Sequence, residues 1–131
     1  MNIFVRHTAL NGKYPRGQRT ELKNGVLYSN WGNGIWGMLA LLKGEANDEF
    51  SAQVEADLAQ AEKVYIYFGR GSPDCPIMMV EALKARSKTV VLAGCTCNRE
   101  WKEAYAKSEG IECILHSQCG GDSLIDSLIA T

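Results

Sequence analysis

The stretch NWGNGIWGML, residues 30–39, sets Gly32, Gly34 and Gly37 at the G-x-G-x-x-G spacing that lets a backbone approach a pyrophosphate at a helix N-terminus. A dinucleotide site also needs an acidic ribose anchor about 20 residues on, at the end of the next strand. Here the next strand ends about 35 residues later, in Gly69-Arg70-Gly71, and no acid stands there. The spacing therefore suits a phosphate near residues 32–37 but not an NAD-type site. Other residues able to do chemistry fall in similar small, polar stretches. Arg70, between two glycines, offers a forked donor to a phosphate or carboxylate. Cys95 and Cys97 stand where a helix N-terminus would lower a thiol pKa. C-x-C lacks the spacing of a thioredoxin-type dithiol, which favours buried or ligand-lining roles for both. His116 and His7, each at the end of an apolar run, suit a base or a hydrogen-bond donor.

These residues need elements to position them, and the second half of the chain supplies a clear pattern. Residues 63–68, 89–93 and 111–115 are short, β-branched or aromatic runs that stop at glycine or a polar turn. Between and after them lie helical periodicities: Ile77, Val80 and Leu83, then Trp101, Ala104, Tyr105 and Ser108, then Leu124, Ile125, Leu128 and Ile129. Asn98 and Asp122 stand as caps, and Gly110 as a stop. Strand and helix alternating in this way predict parallel strands joined by crossovers. The first half is less regular. Strands are expected at residues 3–6 and 25–29, helices at 35–42 and 47–62, and a basic polar loop at 11–24. That loop carries Lys13, Arg16, Arg19 and Lys23 against Glu21, and serves as a lid or a solvated loop. The acidic helix 47–62, with Asp48, Glu49, Glu55, Asp57 and Glu62, reads as a solvated face on a stripe of Phe50, Val54 and Leu58.

The expected fold is one α/β domain of three layers, Rossmann-like or flavodoxin-like. Its mainly parallel sheet has about five strands flanked by helices. In such sheets ligands sit outside the carboxyl ends of the strands. The exits Asn30-Trp31-Gly32-Asn33-Gly34, Gly69-Arg70-Gly71-Ser72, Cys95-Thr96-Cys97 and His116 would gather on one edge. Glycine admits a phosphate, Asn and Ser read hydroxyls or base edges, and Trp31 would stack on a planar ring.

With 131 residues, a formal charge of −1 and a pI near 6.1, the chain has no positive field to draw polymeric nucleic acid or an anionic membrane. No run approaches the roughly 18 apolar residues of a membrane span, and Met1–His7 is too short for a signal peptide, so a cytoplasmic protein is expected. Five cysteines at 75, 95, 97, 113 and 119 fit reduced thiols. Metal-ligand spacing is missing, and no metal or cofactor is implied. Trp31 and Trp36 offer a homo-oligomer contact as a second use.

Residues 61–92 carry a further pattern: AEKVYIY, then Ser72-Pro73-Asp74, Glu81-Ala82-Leu83-Lys84-Ala85 and Ser87-Lys88-Thr89-Val90-Val91-Leu92. This stretch resembles the middle of the nucleoside 2-deoxyribosyltransferases. The resemblance implies a Rossmann-type fold, Glu81 as the nucleophile on the anomeric carbon and Asp74 as the residue contacting the base. Between acid and glutamate the family carries glycines and one fewer residue, whereas this chain has the bulkier Cys75–Val80 with Pro76.

Three functions remain in view. The first is binding of a nucleoside, nucleotide or nucleotide-derived small molecule at the strand carboxyl edge, as a sensor or sequestering protein. The second is an enzyme cleaving or transferring an N-glycosidic bond through Glu81. The third is a structural or protein-interaction domain with empty loops.

Overall fold

The computed structural model describes residues 1–6, 17–23, 25–31, 34–45 and 51–117. They form an α/β arrangement of six strands in one mostly parallel sheet, with four helices. In chain order these are β1 (Asn2–Arg6), β2 (Arg19–Glu21), β3 (Val26–Asn30), α1 (Gly34–Leu42), α2 (Ser51–Gln60), β4 (Lys63–Phe68), α3 (Asp74–Ala85), β5 (Thr89–Cys95), α4 (Arg99–Glu109) and β6 (Glu112–His116). Across the sheet they lie in the order β2-β3-β1-β4-β5-β6. β2 runs antiparallel to β3, and all other neighbours are parallel.

Strand alternation divides the core into two faces. Ile3, Val5, Val64, Ile66, Phe68, Val90 and Leu92 point to one side, where they meet Met38 and Leu42 of α1, Val54 and Leu58 of α2, Met79, Val80 and Leu83 of α3 and Ala106 of α4. Phe4, Tyr28, Tyr65, Tyr67 and Ala93 make up the other side with Val26 and Leu22. All four described helices thus feed one face. The reason is topological: β3 to β4 to β5 to β6 steps across the sheet in one direction, and right-handed crossovers then stack on the same side. A third layer turns on residues 7–16 and 118–131, which lie outside the described residues, as do the expected last helix, its Asp122 cap and the helix start at residues 47–50.

Two expectations need correcting. The polar loop 11–24 contains a sixth strand, β2, held by backbone bonds from Leu22 N to Val26 O (2.8 Å) and from Asn30 N to Gln18 O (3.0 Å). Gly25, at φ 77°, turns the chain between β2 and β3. The α4 stripe is also rotated by one residue, about 100°. Lys102 and Ala106 are buried, Tyr105 is half-buried, and Trp101, Ala104 and Ser108 are exposed. Two smaller differences concern β5 and α4. β5 runs two residues past its expected end, taking Gly94 and Cys95 into the strand. Asn98 does precede α4, but at φ 57° and with no side-chain cap bond, while Gly110 closes the helix at φ 67° as expected.

Candidate functional site

Because β1, β3, β4, β5 and β6 are parallel, the chain leaves β3, β4, β5 and β6 along one rim, after Asn30, Phe68, Cys95 and His116. Between the exits of β4 and β5 the rim opens into a cleft of about 310 Å³. One bank is the turn from Gly69 to Pro73, which leads into α3 and includes Ser72, whose hydroxyl accepts a bond from Asp74 N at 3.3 Å. The opposite bank is Asn98 and the first turn of α4. Phe68, Pro73, Pro76 and Trp101 give the cleft an apolar lining, against which Ser72 and Asn98 are the polar side chains near the mouth.

An aromatic cluster backs one wall. Trp101 is 40% exposed and lies flat on Tyr105, with ring centroids 5.2 Å apart and an interplanar angle of 4°. Phe68 approaches both rings, at 6.4 Å from Trp101 and 5.8 Å from Tyr105. Stacked from behind, the indole has little freedom to rotate and offers a planar surface toward the cleft.

Below this wall sits Lys102, only 2% exposed, whose stem lines the cleft. Its Nζ donates to the Cys95 carbonyl at 2.9 Å and lies 3.5 Å from the Cys95 sulfur. Burial alone would push the Cys95 thiol up. The Cys97 backbone N–H and thiol, together with the Lys102 ammonium, outweigh it and hold the thiol below its ordinary range. Cys113 is raised, first by burial and then by the Glu103 carboxylate, which together outweigh the Lys102 and Arg99 cations.

The residues expected from sequence divide between this cleft and other places. Gly69, Gly71 and Ser72 line it, while Arg70 between them is exposed and outside the lining. Cys95 is fully buried beneath it and Thr96 is exposed at the rim. Half-buried His116 stands opposite Cys95 in the register, its carbonyl accepting from Thr96 N at 3.0 Å. Asp74 is the exposed first residue of α3; Glu81 is exposed, seven residues or about 10 Å further along that helix. Gly34 opens α1. His7, Gly32 and Asn33 lie outside the described residues.

Trp31 and Asn30 are the clearest departures, each only 1% exposed. Trp31 is core: its indole N–H donates to Asp57 Oδ2 at 2.7 Å, so the ring offers neither a stacking surface nor a dimer contact. Asp57 likewise belongs to no solvated face. It is fully buried and also accepts from Ser29 Oγ at 2.7 Å and from Arg19 of β2. Arg19 is correspondingly no free lid cation. Of the residues that shape the cleft, Trp101 was expected only as a helix-stripe position and Lys102 was not singled out; the one sequence signal for them was their place in the first turn after a strand exit.

Among the described residues no group of three or more His, Cys, Asp or Glu side chains could hold a metal ion, and no helix is long and apolar enough to cross a membrane. Comparison with protein-family models, with curated proteins and with solved structures returned no match.

Proposed function

We propose that the protein binds a nucleoside, nucleotide or nucleotide-derived small molecule in the cleft between the starts of α3 and α4, acting as a sensor or sequestering protein. The observation that carries this reading is the half-exposed Trp101 ring, braced by Tyr105, facing a glycine turn across the cleft. A base stacks on the indole, ribose hydroxyls meet Ser72 and Asn98, and a phosphate approaches the backbone at Gly69 and Gly71, where no Cβ intervenes. A cleft of about 310 Å³ is at the small end for ligand pockets, which favours one nucleoside or mononucleotide over a dinucleotide. Numbered among themselves, the parallel strands run 2-1-3-4-5, and we take this for a three-layer, flavodoxin-like member of the Rossmann-like class, whose ligands sit outside the strand carboxyl ends where the order reverses, here between β1 and β4, one strand over from the cleft. A formal charge of −1 disfavours polymeric nucleic acid, whereas a small ligand in the cytoplasm needs only one local pocket.

A melting screen against nucleosides, mononucleotides and cyclic dinucleotides tests the reading. A ligand at a hundredfold excess over its Kd stabilises the fold by about 2.7 kcal/mol. Trp101→Ala removes that shift while leaving a cooperative transition. No shift with any compound of the panel overturns the proposal. Release of free base from a nucleoside by the wild type, lost in Glu81→Gln, would replace it with the N-glycosidic chemistry implied by the deoxyribosyltransferase resemblance.

A further inference from the structure

The Lys102 ammonium is buried, yet among the described residues no carboxylate pairs with it. A buried cation without a counter-charge costs several kcal/mol. The acidic group it does touch is the Cys95 thiol, 3.5 Å away. Cys97 lies two residues on, in the turn that follows β5, and its backbone N–H and thiol are both among the groups that lower the Cys95 thiol. The two cysteines differ in access: Cys95 is sealed, whereas Cys97 is half-buried and borders solvent.

We infer that Cys95, Cys97 and Lys102 form an oxidisable dithiol, a modification site for peroxide in which the Lys102 ammonium stands against the Cys95 sulfur and Cys97 is the thiol the oxidant reaches. Lys102 is shared with the cleft lining, but the inference does not rest on what the cleft binds. The charge balance supports it, since a thiolate supplies the anion that the lysine otherwise lacks. The hydrogen bonds support it as well, because N–H, S–H and ammonium donors converge on one sulfur.

The chemistry proceeds in two balanced steps. Cys97 hands its S–H proton to the Cys95 thiolate and its own sulfur, now a thiolate, attacks one peroxide oxygen; the O–O bond breaks, and the departing hydroxide takes that proton back from Cys95 and leaves as water. Cys97 is now a sulfenic acid, oxidised by two electrons at the expense of the peroxide. The Cys95 thiolate then attacks the Cys97 sulfur, the S–O bond breaks, and the departing hydroxide takes a proton from solvent. In sum, two thiols and one peroxide yield a disulfide and two waters. A bridge across a single intervening residue is strained, so a dithiol reductant reopens it readily.

The test uses the reduced full chain and a small excess of hydrogen peroxide. The expected result is an intact mass lower by two hydrogens, a peptide map joining Cys95 to Cys97, and full reversal by dithiothreitol. Cys97→Ser abolishes the mass change and Cys75→Ser does not. Lys102→Met, which deprives the thiolate of its cation, slows closure about tenfold. A bond joining any other pair of cysteines, oxidation of Cys97 with no bond formed, or an unchanged closure rate in a folded Lys102→Met overturns the inference. The wild-type map decides the matter even where that variant does not fold.

Discussion

Tyr105 supports the aromatic wall at some cost to itself. Its hydroxyl is buried with no hydrogen-bond partner among the described residues. Burial, reinforced by the Glu109 and Glu81 carboxylates, pushes the phenol up to about 12 from an ordinary value of 10.0. The folded state therefore keeps a proton that the unfolded chain gives up near pH 10. Stability is intact below that pH and falls as the pH rises from 10.0 to about 12. Tyr105→Phe should remove this alkaline loss and, by deleting an unsatisfied buried hydroxyl, stabilise the protein at neutral pH by about 1 kcal/mol. Urea unfolding of both proteins at neutral pH and across the alkaline range checks both effects. Asp57 shows the opposite situation. A buried carboxylate is tolerable there because Ser29, Trp31 and Arg19 all donate to it. Its role was hidden in the sequence: one acid in a run of acids looks solvated, and its donors come from residues 26 to 38 positions away.

Between elements, the tightest constraint is where β4 and β5 meet. Gly94 pairs with Phe68, and a Cβ at residue 94 would run into the Phe68 carbonyl oxygen. Gly94→Ala should therefore cost about 3 kcal/mol through forced separation of the two strands, measurable as a lower denaturation midpoint with an unchanged slope. The loss would extend to the cleft, since Phe68 forms its floor. β4 was legible in advance because its aromatic and β-branched run stops at Gly69; in the structure its burial alternates, with Val64, Ile66 and Phe68 inward on the helix side. β2 was not, because Arg19, Thr20 and Glu21 carry no apolar signal and their strand geometry is imposed by β3 through backbone bonds. The α4 stripe failed for a related reason. Apolarity placed Trp101 inward, but the Cys95 carbonyl and sulfur can satisfy an ammonium, so Lys102 took the core position and turned the indole out to the cleft. The rim itself was readable from strand and glycine spacing; the identity of the exposed ring in its cleft was not.

For the whole molecule, protection should follow sheet order. Among the described residues β3, β1, β4 and β5 each have a strand on both sides, while β2 and β6 each have one. Amide hydrogen exchange read by mass spectrometry should find the amides of Val64–Phe68 and Val90–Ala93 among the last to open, and those of Arg19–Glu21 and Glu112–His116 well before them. Equal protection across all six strands would mean that the sheet opens only as a unit. The short outer strand β2 also bears on what the molecule avoids. A free sheet margin is a template on which another chain can add a strand and begin lateral growth. Here that margin offers three residues, with exposed Arg19 and Glu21 alternating along it and Arg19 tethered to Asp57 behind. Such a margin gives an incoming strand few rungs and two charges to accommodate, so polymerisation through this side is discouraged.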